Sequence, residues 1–118
     1  MVTIAQDENN CPRFLLVDSS GRLYVNLNAP TTIYNGQKNV TTAGTRAVLG
    51  TSQAILSITI TAKLTNTGNI YVGNSSVTSS NGAILSAGDS LSLDTNDISN
   101  VYIDSDVNGE GVSYIAVG

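Results

Sequence analysis

Residues 55–64 read Ile-Leu-Ser-Ile-Thr-Ile-Thr-Ala-Lys-Leu, and this stretch decides the fold class. Leu56, Ile58, Ile60, Ala62 and Leu64 fall on one side of an extended chain. Ser57, Thr59, Thr61 and Lys63 fall on the other. Strict alternation over this length predicts a β-strand with one face in a core and one in solvent.

Working outward, the same signature recurs in shorter runs. Downstream, strands are expected at residues 69–73, 83–85, 90–94, 100–104 and 112–117. Turn-forming Asn, Asp, Ser, Thr and Gly separate them at 66–68, 74–82, 86–89, 95–97 and 105–111. Upstream, residues 45–49 form a short run. Residues 31–34 and 38–42 flank Asn35-Gly36, a dipeptide that predicts a tight hairpin turn. Residues 13–17 (RFLLV) and 22–27 (RLYVNL) flank Asp18-Ser19-Ser20-Gly21 and read as a further hairpin. No stretch of ten residues has helical spacing. The expectation is an all-β chain, an antiparallel β-sandwich of jelly-roll-like winding, with residues 1–28 as an N-terminal arm and hairpin and 29–118 as the sandwich domain. Equal short strands leave the strand order open between a jelly roll and other Greek-key windings.

Composition supports a folded chain with a polar but weakly ionic surface. The chain has 118 residues, 41% of them hydrophobic and only 12% charged, with a net charge of −4. Average domains carry about 25% charged residues. Ser, Thr and Asn supply about a third of this chain instead. Histidine is absent and Cys11 is the sole cysteine. That excludes an internal disulfide, a Cys/His zinc site and a His-activated nucleophile. Five scattered Lys and Arg do not make a phosphate-reading surface, so no nucleic-acid partner is expected. No apolar run reaches the roughly 18–20 residues of a membrane span, and the first ten residues lack the basic and apolar regions of a signal peptide.

Several residues invite a chemical reading. Asp104, Asp106, Asn108 and Gly109 match the first half of a calcium loop, in which alternate oxygens surround a hard cation. The twelfth position is Ile115 rather than Glu, and the flanks read as strands, so a polar hairpin loop is the expectation. Asp89, Asp94, Asp97, Asp104 and Asp106 are the carboxylates from which a glycosidase pair would be drawn. All fall at strand ends or turns, without Trp and with a single Phe, and are read as solvated turn residues. Asn39 and Asn74 each begin a glycosylation tripeptide, which chance readily produces in so Asn- and Ser-rich a chain. The five tyrosines, at 24, 34, 71, 102 and 114, are spaced as strand residues for packing in a core or interface. Cys11 is read as an idle thiol. No cofactor and no metal site is expected.

Two runs lack a polar face: Phe14, Leu15, Leu16 and Val17, and, apart from Ser113, the stretch 112–117 around Tyr114 and Ile115. Each needs a central, doubly covered position, a neighbouring subunit over it, or the arm folded across it. These six residues are therefore the candidate subunit or capsid interface.

Residues 38–118 resemble a small β domain of structural proteins in tailed bacteriophages. The likeness rests on Ile70-Tyr71-Val72-Gly73, Asn81-Gly82, residues 85–91 (LSAGDSL), Asp97-Ile98 leading to residues 101–104 (VYID), and residues 109–115 (GEGVSYI). The resemblance implies a virion component and carries over no catalytic residue. Absence of heptads and repeats argues against a long fibre. The expectation is a non-enzymatic capsid decoration (cement) protein, a homotrimer on the exterior of the phage head. It would bind the major capsid protein and stabilise the assembled shell by mass action. It would be made in the host cytoplasm and have no membrane partner. The alternative is a head-fibre or tail adhesin module that holds a host-surface glycan with loops 74–81 and 105–111. A glycan hydrolase using turn carboxylates is the third reading.

Overall fold

The computed structural model describes the strands Val2–Gln6 (β1) and Pro12–Leu16 (β2) and residues 29–118. Eight more strands follow: β3 (Ile33–Asn39), β4 (Ala47–Val48), β5 (Ser57–Ala62), β6 (Ile70–Gly73), β7 (Ala83–Leu85), β8 (Ser90–Asp94), β9 (Tyr102–Ser105) and β10 (Gly111–Val117). The only helical turn among the described residues is a 3-10 segment, Ile98–Asn100. No helix of the described residues is long and apolar enough to cross a membrane.

The chain is all-β. One antiparallel sheet has the order β3-β10-β5-β8 and the other β4-β9-β6-β7. Strand pairing follows a simple rule: β6 pairs with β7, β5 with β8, β4 with β9 and β3 with β10. The chain therefore runs out to the β6–β7 hairpin and returns along itself, as one long two-stranded ribbon wound across both sheets.

Alternation sets which face of each strand enters the space between the sheets. On β5, Ile58, Ile60 and Ala62 are buried while Ser57, Thr59 and Thr61 lie outward. The register of β10 on β5 continues the inward layer with Val112, Tyr114 and Ala116. The second sheet closes the core with Ile70, Val72, Leu85 and Ile103, and Leu49 and Val101 join them from flanking loops. Fully buried branched aliphatics each contribute about 1.5–3 kcal/mol. Together they form one contiguous apolar layer.

Three expectations need correction. Asn35-Gly36 is not a turn: β3 runs through it without a break, because seven-residue β10 pairs with the whole of Ile33–Asn39. Gly36 is there for space, since it lies opposite Tyr114. The alternation of residues 55–64 overreaches at both ends, where Leu56 is 53% and Leu64 84% exposed. Only residues 57–61 have strands on both sides; the chain turns away after Lys63, whose carbonyl accepts the Asn66 N–H. The run at 45–49 shortens to Ala47–Val48, and the strand expected from residue 100 begins at Tyr102, after the 3-10 turn. Upstream, β2 pairs with β1, a strand not anticipated, and among the described residues these two strands make a sheet separate from the other two. The expected partner of residues 13–17, residues 22–27 with their turn, lies outside the described residues, as do Val17, Cys11 and Tyr24.

Candidate functional site

The outward face of the β3-β10-β5-β8 sheet is built in rows that the register fixes. Ile33, Val117, Ser57 and Asp94 stand side by side in one row, and Asn35, Ile115, Thr59 and Ser92 in the next. Gln37, Ser113, Thr61 and Ser90 make the third. The hydroxyls of Thr59 and Ser92 share a hydrogen bond of 2.8 Å, as do those of Thr61 and Ser90. Lys63 donates from Nζ to Asn39 Oδ1 at 2.7 Å beyond the last row. Within the three rows only Asp94, at a corner, carries charge. The rest is hydroxyl, amide and aliphatic.

The aliphatic part is compact. Ile33 and Val117 are direct cross-strand neighbours, and Ile115 is two residues along the same face. Ile33 is 66% and Ile115 50% exposed. Strand β10 occupies a central position between β3 and β5, yet only its inward side meets the core. Of the expected interface residues, Ile115 therefore points outward, while Tyr114 is inward and half-buried against the core. Phe14, Leu15 and Leu16 belong to β2.

The carboxylates have other duties. Asp106 accepts the Tyr71 hydroxyl at 2.9 Å on Oδ1 and the Asn69 N–H at 3.2 Å on Oδ2. Glu110 accepts the Thr67 N–H and hydroxyl on Oε2, and the Gly68 N–H on Oε1. Asn108 Oδ1 takes the Ala43 N–H, and Asp104 Oδ1 takes the N–H of Gly44 and of Ser105. The half calcium motif thus splits its oxygens between two loops, 42–45 and 67–69, instead of converging them on one point. Among the described residues no three His, Cys, Asp or Glu side chains are grouped to hold a metal ion.

Asp97 is the most heavily bonded acid. Its oxygens accept the Ser99 N–H and hydroxyl, the Gln53 N–H and the Ser52 hydroxyl, pinning the 3-10 turn to loop 50–54. These donors, led by the Ser99 amide, lower its pKa to about 2. The Gly68 amide, with those of Thr67, lowers that of Glu110. Tyr71 is raised, chiefly by its hydrogen bond to Asp106 and then by burial. A carboxylic acid that donates protons near neutral pH needs its pKa moved upward. Asp97 and Glu110 move the opposite way.

Sequence reasoning took loop 74–82 for turn material, or in its alternative reading a glycan-holding loop, and missed its buried residue. Val77 is buried there to 2% exposure, over Gly73 and Gly82. A Cβ on either glycine would come within 2.8 Å of a Val77 methyl. The available signal was a lone aliphatic residue in a polar loop bracketed by two glycines. On the same side of the molecule, Gly44, Thr45, Arg46, Ser75 and Tyr102 line a shallow groove of about 490 Å³. Compared with known proteins, the chain matches no family model, no curated protein and no solved structure.

Proposed function

We propose that this chain is a non-enzymatic virion structural protein, a capsid decoration (cement) protein that binds the assembled head of a tailed bacteriophage and stabilises it. The observation that carries this reading is the outward face of the β3-β10-β5-β8 sheet. It is almost free of charge and centred on Ile33, Val117 and Ile115, of which Ile33 and Ile115 are exposed. Interface cores are depleted in charge in the same way. The strand winding, β3 with β10 through β6 with β7, fits the jelly roll expected from the sequence. Hydrogen-bonded carboxylates with lowered pKa values fit a rigid block rather than a hydrolase.

In this reading the partner is the major capsid protein, the free or bound protein is a homotrimer, and its place is the exterior of the virion. Selective binding to the assembled shell shifts the equilibrium towards that shell. The test is cosedimentation with purified, expanded heads. Binding at micromolar concentration with one oligomer per equivalent lattice site is the expected result, and no association at that concentration rejects the reading.

The Arg46–Tyr102 groove favours one other reading, the adhesin module. It offers a guanidinium, an aromatic ring and hydroxyls within one concavity, which suits an acidic sugar. A glycan array decides between the two: saturable glycan binding lost in Arg46→Ala, without head binding, selects the adhesin.

A further inference from the structure

Three asparagines directly precede glycine: Asn35, Asn81 and Asn108. Such a pair carries its own nucleophile and electrophile. The glycine amide nitrogen is unscreened by any side chain, and the asparagine Cγ is an amide carbonyl carbon within reach of it. The nitrogen gives its proton to water and bonds to Cγ, the Cγ–Nδ2 bond breaks, and ammonia leaves. Water then opens the cyclic succinimide to aspartate or isoaspartate.

The fold holds the three glycine nitrogens in different ways. Gly36 lies within β3 opposite Tyr114, and a Cβ there would strike the tyrosine ring, so freeing it takes β3 off the core. The Gly109 N–H donates at 2.7 Å to the carbonyl of Val40, which is fully buried, and Asn108 Oδ1 accepts the Ala43 N–H of loop 42–45. Freeing it separates one loop from another. Gly82 is held inside its own turn. Its N–H and that of Asn81 both donate to the Thr78 carbonyl, at 3.0 and 3.3 Å. Asn81 Oδ1 accepts the Thr78 N–H at 2.7 Å, and Nδ2 donates to the Ser76 carbonyl at 3.3 Å. These bonds all join partners within 76–82, and residues 78–81 are exposed. The turn can therefore open while both sheets stay intact, and such local openings cost far less than unfolding. Once released, the Asn81 side chain swings from Ser76 and Thr78 towards the Gly82 nitrogen.

We propose that Asn81-Gly82 is a self-modification site of the folded protein, at which Asn81 becomes aspartate or isoaspartate while Asn35 and Asn108 persist. Water is the only co-reactant. The product does not remake the turn. A carboxylate still accepts the Thr78 N–H but has no donor for the Ser76 carbonyl, and isoaspartate lengthens the backbone path. Conversion is thus a one-way release of the clasp on loop 74–82. It also adds negative charge to the loop that supplies Ser75 to the groove of Arg46 and Tyr102.

The test incubates the full chain at physiological temperature and mildly alkaline pH, folded and in urea, and follows each site by peptide mapping with isoaspartate detection. In the folded chain Asn81 is expected to convert at least ~10-fold faster than Asn35 or Asn108, whereas in urea the three rates agree within about threefold. Equal rates in the folded chain overturn the proposal, as does faster conversion at Asn35 or Asn108, or an Asn81 that persists. Val77→Ala, with circular dichroism matching the parent, loosens the loop anchor and is expected to speed conversion at Asn81 alone. Acceleration at all three sites, or at none, overturns the local gate. Asn81→Asp carries the product charge without the Nδ2 donor and is expected to melt below the parent; an unchanged melting temperature overturns the clasp.

Discussion

Gly36 lies directly across the β3–β10 ladder from Tyr114, and a Cβ at Gly36 would stand 2.5 Å from the tyrosine oxygen. Gly50 confines the same hydroxyl from another side, where a Cβ would stand 2.9 Å away. The two glycines thus leave the ring the space it occupies against the core. Gly36→Ala is therefore expected to destabilise the fold by about 1–3 kcal/mol through overpacking. Urea denaturation measures it. A double variant with Tyr114→Leu is expected to cost less than the sum of the two single changes, because the shortened side chain vacates the space.

Ile60 and Ile115 are close in space on adjacent strands but belong to opposite faces. Ile60 is fully buried between the sheets, whereas Ile115 is half exposed. Ile60→Ala is expected to cost about 2–5 kcal/mol, from lost burial and the cavity left behind. Ile115→Ala is expected to stay within about 0.5 kcal/mol. Thermal melts of the two variants provide the comparison, and equal losses would show that the outward face is covered in the isolated protein.

Acid is expected to loosen the 3-10 turn before it dissolves the core. Asp97 has an ordinary pKa of 3.8 and a folded value of about 2. Its contribution to stability is present above 3.8 and lost as pH falls towards 2, since protonation is then favoured in the unfolded chain first. Glu110 acts in the same direction from 4.5. Stability of the parent chain should thus fall between about pH 5 and 2. In Asp97→Asn, which cannot titrate there, the fall should be shallower and the two curves should converge near pH 2. At the alkaline end Tyr71, raised above 10.0, contributes stability that is lost as pH climbs through its folded pKa. Tyr71→Phe should remove that limb. Urea melts over the pH range check both signs.

Calcium is expected to leave the melting temperature unchanged. Both oxygens of Asp106 and both of Glu110 already accept protein N–H or O–H groups, and Asn108 Oδ1 holds Ala43. A cation would have to displace these bonds before gaining its own. Differential scanning calorimetry at millimolar calcium reads the outcome, and a rise in melting temperature would show that the loop reorganises around the ion. Asp106→Ala is expected to lower stability with or without calcium, because it strands the Tyr71 hydroxyl beneath the loop.

The sequence by itself determined the class of fold and most of its strands. Period-two alternation is a local property: Ile58, Ile60 and Ala62 turn inward whatever lies across from them, and Gly or Asn clusters end each run. The absence of histidine and the single cysteine likewise removed whole kinds of chemistry without a coordinate. Only the tertiary structure decided which strands adjoin, since β3 meets β10 and β4 meets β9 across most of the chain. Pairing over such distances depends on how the completed faces cover one another. The same long-range pairing turned Asn35-Gly36 from a turn signal into strand interior beneath Tyr114, and sent Asp104, Asp106 and Glu110 to separate backbone donors. It also set Ile33 beside Val117. Local chemistry writes the strands; packing at a distance assigns each residue its neighbour.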